Sequence, residues 1–182
     1  MSDIRVLALV GSLRAESVNR KIAEAVKAQA PAGVSVEIAE GLEALPFYNE
    51  DIDTDDVPGA VTALRRRVAE ADRILFVVPE YNGTMPAVLN NAIDWISRPF
   101  GEGAIKGKPT AAVGAAIGQY GGVWAQDDTR KSAKIAGAVV LDDIAVAHAF
   151  PWGTNPAEDA EVVAQFVDAV AKLAAYEGVV EA

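Results

Sequence analysis

The stretch Gly11-Ser12-Leu13-Arg14-Ala15-Glu16-Ser17-Val18-Asn19 follows the apolar run Val6–Val10 and leads into a segment of helical period. A strand, a loop and a helix start in that order can hold a phosphate. The first N–H groups of a helix have no carbonyl partner and carry a partial positive charge. Ser12, Ser17 and Asn19 add neutral donors, and Arg14 adds a charged, forked donor suited to phosphate oxygens. A plainer reading makes Ser17 a helix cap, Gly11 a strand end and Arg14 a solvated charge. Neither G-x-G-x-x-G nor G-x-x-x-x-G-K-[ST] is present in the loop, which argues against a Rossmann dinucleotide site and against a triphosphate-binding P-loop.

Two further loops carry chemistry. Pro79-Glu80-Tyr81-Asn82-Gly83-Thr84-Met85-Pro86 joins an aromatic wall to a tight Asn82-Gly83 turn, and Ala116-Ile117-Gly118-Gln119-Tyr120-Gly121-Gly122 is rich in glycine. Each also reads as a turn alone. Other chemistries are excluded or weak. There is no cysteine, so disulfides, thiolate metal sites and a catalytic thiol are absent. The one histidine, His148, lies in an apolar stretch and reads as structural; no metal site is expected. The acidic run Asn49–Asp56 lacks the glycine and terminal glutamate of a calcium loop and reads as solvated. Leu45-Pro46-Phe47-Tyr48 reads as site-proximal, as a subunit contact or as local core, and Trp95 and Trp152 as packed into the monomer.

These loops need elements to hold them. Short apolar runs at Ile4–Val10, Val34–Ala39, Arg73–Val78, Thr110–Ile117 and Asp143–Ala147 read as strands, the first, third and fourth covered on both faces. Helical period follows each. The first helix carries Val18, Ile22, Ala25 and Val26; the second spans about Pro58–Ala71 with Arg65, Arg66 and Arg67 toward solvent; the third starts at Pro86 and carries Leu89, Ala92, Ile93 and Ile96. A fourth runs from about Gly122 to Gly137, and the last begins at Asn155-Pro156 with Val163, Phe166, Val170 and Leu173 on one face. This is α/β alternation with no repeat or linker, so 1–182 reads as a single domain with its ligand beyond the carboxyl ends of the strands.

G-S-x-R-x-x-S-x-N and P-E-Y-N-G-x-x-P occur here in order and at the right separation, with Leu89-Asn90-Asn91-Ala92-Ile93-Asp94-Trp95 after them. Together they resemble the NADPH-dependent FMN reductase family, which includes quinone, azo-dye and chromate reductases; the likeness extends from Ile4 to about Gly137. The resemblance implies a flavodoxin-like, doubly wound five-stranded parallel sheet of order 2-1-3-4-5 with helices on both faces. It implies FMN, its phosphate at Ser12, Arg14, Ser17, Val18 and Asn19, and its ring against Pro79, Glu80, Tyr81, Asn82 and Gly83. Main-chain groups around Ala116, Gly118 and Gly121 would reach the flavin carbonyls. No catalytic side chain is expected, since hydride from NADPH or NADH passes to flavin N5 and on to a small oxidant such as a quinone, azo dye, free flavin or metal oxyanion. Ala116, Ile117 and Trp124 depart from the serine, proline and arginine usual in relatives, which touches oxidant specificity. An electron carrier of the flavodoxin type without nicotinamide turnover, and a flavin-binding module with an idle site, are the rival readings.

The composition fits such an enzyme. With 51% hydrophobic and 23% charged residues the chain is globular, and its net charge of −10 argues against nucleic acid and anionic membranes as partners. No apolar run is long enough to span a bilayer, and Met1-Ser2-Asp3-Ile4-Arg5 is unlike an export signal, so a cytoplasmic protein is expected. The resemblance adds a homodimer or homotetramer.

Overall fold

The computed structural model describes residues 3–178. Its parallel sheet is built from β1 (Ile4–Val10), β2 (Val34–Ile38), β3 (Arg73–Val77), β4 (Pro109–Ile117), β5 (Val139–Val140) and β6 (Ala147–Phe150). The helices are α1 (Val18–Ala28), α2 (Gly59–Glu70), α3 (Ala87–Ile96), α4 (Val123–Ile135) and α5 (Ala160–Ala174). Strand order is β2-β1-β3-β4-β5, with β6 also paired to β4, as the flavodoxin-like expectation requires.

Side-chain alternation along the strands divides the core. Leu7, Leu9, Ile74 and Phe76 meet α2, α3 and α4 through Val61, Leu64, Leu89, Ile93, Ala125 and Ala133 on one face. Val6, Ala8, Leu75 and Val113 meet α1 and α5 through Ile22, Val26, Phe166 and Leu173 on the other. Cover on both faces explains why the central strands are apolar throughout rather than alternating. The chain leaves β1 toward β2 on one side and returns to β3 on the other, which opens a crevice at the carboxyl ends of these strands.

The fifth strand position differs from the expected 143–147. It is split, with β5 at Val139–Val140 and β6 at Ala147–Phe150 around a turn in which Ile144 N bonds Leu141 O at 3.1 Å. Ile144 is buried, so an apolar residue inside a turn imitates a strand in the sequence. The interruption removes a rung beside β4, and a side chain supplies it. Arg130 is nine-tenths buried; its Nη2 donates to Ala112 O at 2.7 Å and its Nη1 to Asp127 at 2.8 Å. Among the described residues, Arg130 Nε and Gln126 Nε2 are buried donors without a partner.

Arg65 also departs from expectation. Rather than facing solvent, its guanidinium grips Asp53 through two bonds of 2.8 Å, donates to Trp95 O at 2.9 Å and lies 5.5 Å from the Trp95 ring centroid. The acidic loop is therefore anchored at Asp53, whose side chain is only 11% exposed, and is not wholly solvated. Trp95 is fully buried, as read from the sequence, and its indole N–H donates to Pro46 O at 2.8 Å. Asn91 grips the same segment through Pro46 O and Tyr48 N, so Leu45 and Tyr48 are local core while Phe47 is turned out, 83% exposed.

Arg130→Met should lower unfolding stability by roughly 2–4 kcal/mol, because Ala112 O loses its buried, charged donor. Urea denaturation measures this, and a loss below about 0.5 kcal/mol would contradict the rung-filling role. Asp94, in the last turn of α3, has its carboxyl raised above 3.8 by burial, against a lowering by Arg98. The folded state thus holds that proton more tightly, and the associated stability is full below 3.8 and lost as pH rises through the folded value. Asp94→Asn should raise Tm at pH 7 and leave it unchanged near pH 3, by thermal melts at both.

Candidate functional site

At the carboxyl ends of β1, β3, β4 and β6 lies a cleft of about 450 Å³. Ser12, Arg14, Glu16, Ser17, Val18, Asn19 and Lys21 form one end; Pro79, Glu80, Tyr81, Ala115, Ala116 and Ile117 form the middle; Phe150, Trp152, Gly153, Thr154 and Asn155 close the side. Its size is that of a small-molecule or cofactor site.

The first end is built around the start of α1. Ser17 caps it, accepting from Arg20 N at 3.2 Å while retaining a hydroxyl proton to donate. Val18 and Asn19 follow with N–H groups that helix geometry leaves unpaired. Gly11 sits where two loops close on one another: a Cβ there would lie 2.7 Å from Leu89 and 2.9 Å from Pro79. Arg14 is exposed at the mouth with no side-chain partner among the described residues. Lys21 and Glu16 pair beside it, which holds the Glu16 carboxyl below and the Lys21 ammonium above their ordinary values. On the far side of Arg14, Arg20 is committed to Glu40 and Glu24.

Asn19 requires a correction. It was read as a phosphate donor, but its side chain is buried and fully engaged, donating to Ala115 O at 2.8 Å and accepting from Ala115 N at 2.9 Å. The reason lies in the sheet. The β3 side of β4 is paired only as far as the bond from Val78 N to Val113 O. The Asn19 amide takes the place of the missing strand, and only its backbone N–H is left for a ligand.

The loop after β3 is a tight turn in which Tyr81 and Thr84 exchange both backbone bonds at 3.2 Å, with Asn82 at φ 54° and Gly83 at φ 74°. Asp128 on α4 clamps it by accepting from the Thr84 hydroxyl. The Glu80 carboxylate accepts from Ala125 N at 3.2 Å, in the first turn of α4. Pro79, Glu80 and Tyr81 line the cleft as expected, whereas Asn82 and Gly83 stand outside its lining, Gly83 toward Trp124.

After β4, Ala116 lines the cleft but Gly118 and Gly121 do not. Gly121, at φ 57°, packs against β6, where a Cβ would lie 2.5 Å from Ala147 O. The segment Phe150–Asn155 was missed altogether. Setting the fifth strand at 143–147 ended it before Phe150 and hid the loop that follows; the rule that ligands sit beyond strand ends would have found it once the strand was placed. Trp152, expected to pack into the monomer, is 85% exposed at this cleft. His148 is half-buried in β6, outside the lining.

The cleft is thus divided: both cations of its lining, Arg14 and Lys21, stand at the α1 end, and the Pro79–Ile117 part is apolar apart from Glu80, which is turned to α4. These donors fit a phosphate and this wall fits a flat ring. No cluster of metal-ligating side chains occurs among the described residues.

Residues 4–152 match the family described as NADPH-dependent FMN reductase. A quinone reductase of Pseudomonas putida is 45% identical over 127 residues, 70% of this chain and 68% of the relative. A 2-hydroxy-1,4-benzoquinone reductase of a Burkholderia species is 40% identical over the same extent, with the same shares covered. Among solved structures, the flavoenzyme NAD(P)H:(acceptor) oxidoreductase FerB of Paracoccus denitrificans is similar, with a TM-score of 0.81 and 30% identity over 93% of this chain and 96% of that one.

Asn19→Ala should destabilise the protein by about 2–4 kcal/mol, since it strands a buried N–H and a buried C=O at Ala115. Denaturant unfolding without added ligand is the measurement; unaltered stability would return Asn19 to a ligand-binding role.

Proposed function

The chain belongs to the NADPH-dependent FMN reductase family, and we propose how its cleft serves that chemistry. It is an oxidoreductase with FMN as cofactor and NAD(P)H as co-substrate. When bound, FMN supplies the redox step, taking hydride from the nicotinamide and passing electrons to an oxidant. The chain supplies binding, orientation and local charge.

The phosphate is held by Arg14, the hydroxyls of Ser12 and Ser17, and the N–H groups of Val18 and Asn19, with the α1 N-terminus adding its partial charge. Pro79, Glu80, Tyr81 and Ala116 would hold the ring. Asn82, Gly83, Gly118 and Gly121 act one layer out, by fixing the turns that aim this wall. The observation that carries this reading is the separation of charge within one cleft, cations at one end and an apolar wall at the other.

The same separation bears on the oxidant. The ring end lacks a cation to attract a metal oxyanion, so neutral flat acceptors of the quinone type are favoured. One surface over the ring would serve nicotinamide and oxidant in turn. Among the described residues no helix is long and apolar enough to cross a membrane; together with the lack of cysteine, this supports a cytoplasmic enzyme of one domain spanning 1–182. A homodimer or homotetramer is supported by Phe100, 84% exposed, and Ile135, 72% exposed, on a common concave surface.

Arg14→Ala should weaken FMN binding roughly 10- to 100-fold, about 1.5–3 kcal/mol, while leaving the stability of the flavin-free protein unaltered because the side chain is exposed. Equilibrium titration with FMN tests the first part and thermal melting the second. Steady-state rates with varied NADPH and quinone should give parallel double-reciprocal lines; intersecting lines would mean that both partners bind together.

A further inference from the structure

Trp152 lies on the turn after β6, where Thr154 N and Thr154 Oγ1 both bond Pro151 O, at 3.3 and 2.8 Å, and Gly153 takes φ 82°. The turn is self-contained: its bonds close without help from the indole, which leaves 85% of Trp152 in water. An indole is among the largest apolar groups a chain can bury, so its exposure here is unfavourable unless a partner covers it. The backbone fixes where that partner lies. Phe150 is in register with Ile117, which places the turn just past the end of β4, and Trp152 lines the same cleft as Ser12, Ser17 and Tyr81. Tyr81 belongs to the loop on the opposite side of β4, so the cleft runs between one aromatic ring from each flank.

We infer that Trp152 is a cofactor-binding residue, its indole packing on bound FMN from the β6 side while Pro79 and Tyr81 form the other wall. This rests on the reading that FMN occupies the cleft. It adds to that reading a residue outside both sequence motifs and at the last position of the family match.

The test uses the full-length protein, stripped of flavin and titrated with FMN. The chain has three tryptophans, so selective ¹⁵N labelling gives three indole N–H signals, and Trp152→Phe identifies its own by deletion. FMN should shift the Trp152 signal and slow its exchange with water, while the signal of Trp95, fully buried, should be unmoved. Trp152→Ala should weaken FMN roughly 5- to 100-fold, as expected for loss of one aromatic stacking contact. Trp152→Phe should recover most of the affinity. An unmoved Trp152 signal with wild-type affinity in Trp152→Ala would overturn the inference while FMN binding itself stood. A Trp152 signal that shifts with protein concentration instead of FMN would assign the indole to a second copy of the chain and overturn it as well. Failure of the wild-type protein to bind FMN would overturn the cofactor reading beneath it.

Discussion

The structure depends on how β4 is completed where its neighbours leave it. A central strand buried on both faces cannot send unpaired N–H and C=O groups to water, so each lost rung must be replaced. On the β3 side the replacement is the Asn19 amide at Ala115; on the other side it is the Arg130 guanidinium at Ala112. The Asn19 patch occurs where β3 stops pairing with β4 and the crevice opens, whereas the Arg130 patch fills the gap between β5 and β6, which pairs with β4 again from Gly114 to Ile117. The crevice and the Asn19 patch are therefore one feature. Asn19 makes the coupling direct, since the residue that closes β4 also lies in the first turn of α1, which lines the cleft.

The remaining loops are held in place mostly from α4. Asp128 clamps the turn after β3, while the first turn of α4 receives Glu80 from that same loop, so a carboxylate meets the positive end of the helix dipole. Gly121 lets the connection before α4 pass against β6 at a distance that excludes a Cβ. Gly83 and Gly121 lie outside the cleft lining, and their positive φ shapes the backbone around the residues that form it. A wall that is already bonded before ligand arrives needs little ordering on binding, and that favours affinity.

The central strands and most helix faces were legible because burial on both faces writes itself as apolar runs, and amphipathic helices as period 3.6, while the strand order followed from the family resemblance. The two motifs likewise marked loops that line the cleft. Asn19 was misread because an amide that replaces a strand and one that binds phosphate have the same sequence appearance; the difference is a contact 96 residues away. Arg65 was misread for the same reason, its place decided by Asp53 and Trp95 rather than by its own helix. The split fifth strand was hidden by Ile144, whose burial in a turn obeys no strand period, and with it went the loop bearing Trp152.

Charge imposes a last condition on the site. The chain carries a net −10, and both FMN and NAD(P)H are anions, so the long-range field opposes their approach. At physiological ionic strength that field fades over about 8 Å, and what a ligand meets at the cleft is set by groups within that radius. There Arg14 and Lys21 face Glu16, and the bond between Lys21 and Glu16 ties up one of the two cations of the lining. On the proposed reading an arriving phosphate is therefore held chiefly by Arg14, by neutral donors and by the start of α1. The helix start is a fixed dipole whose N–H groups need no counter-ion and cannot be paired away by a neighbouring carboxylate. An acidic protein can bind an anionic cofactor on these terms, because the attraction is short in range and built into the backbone.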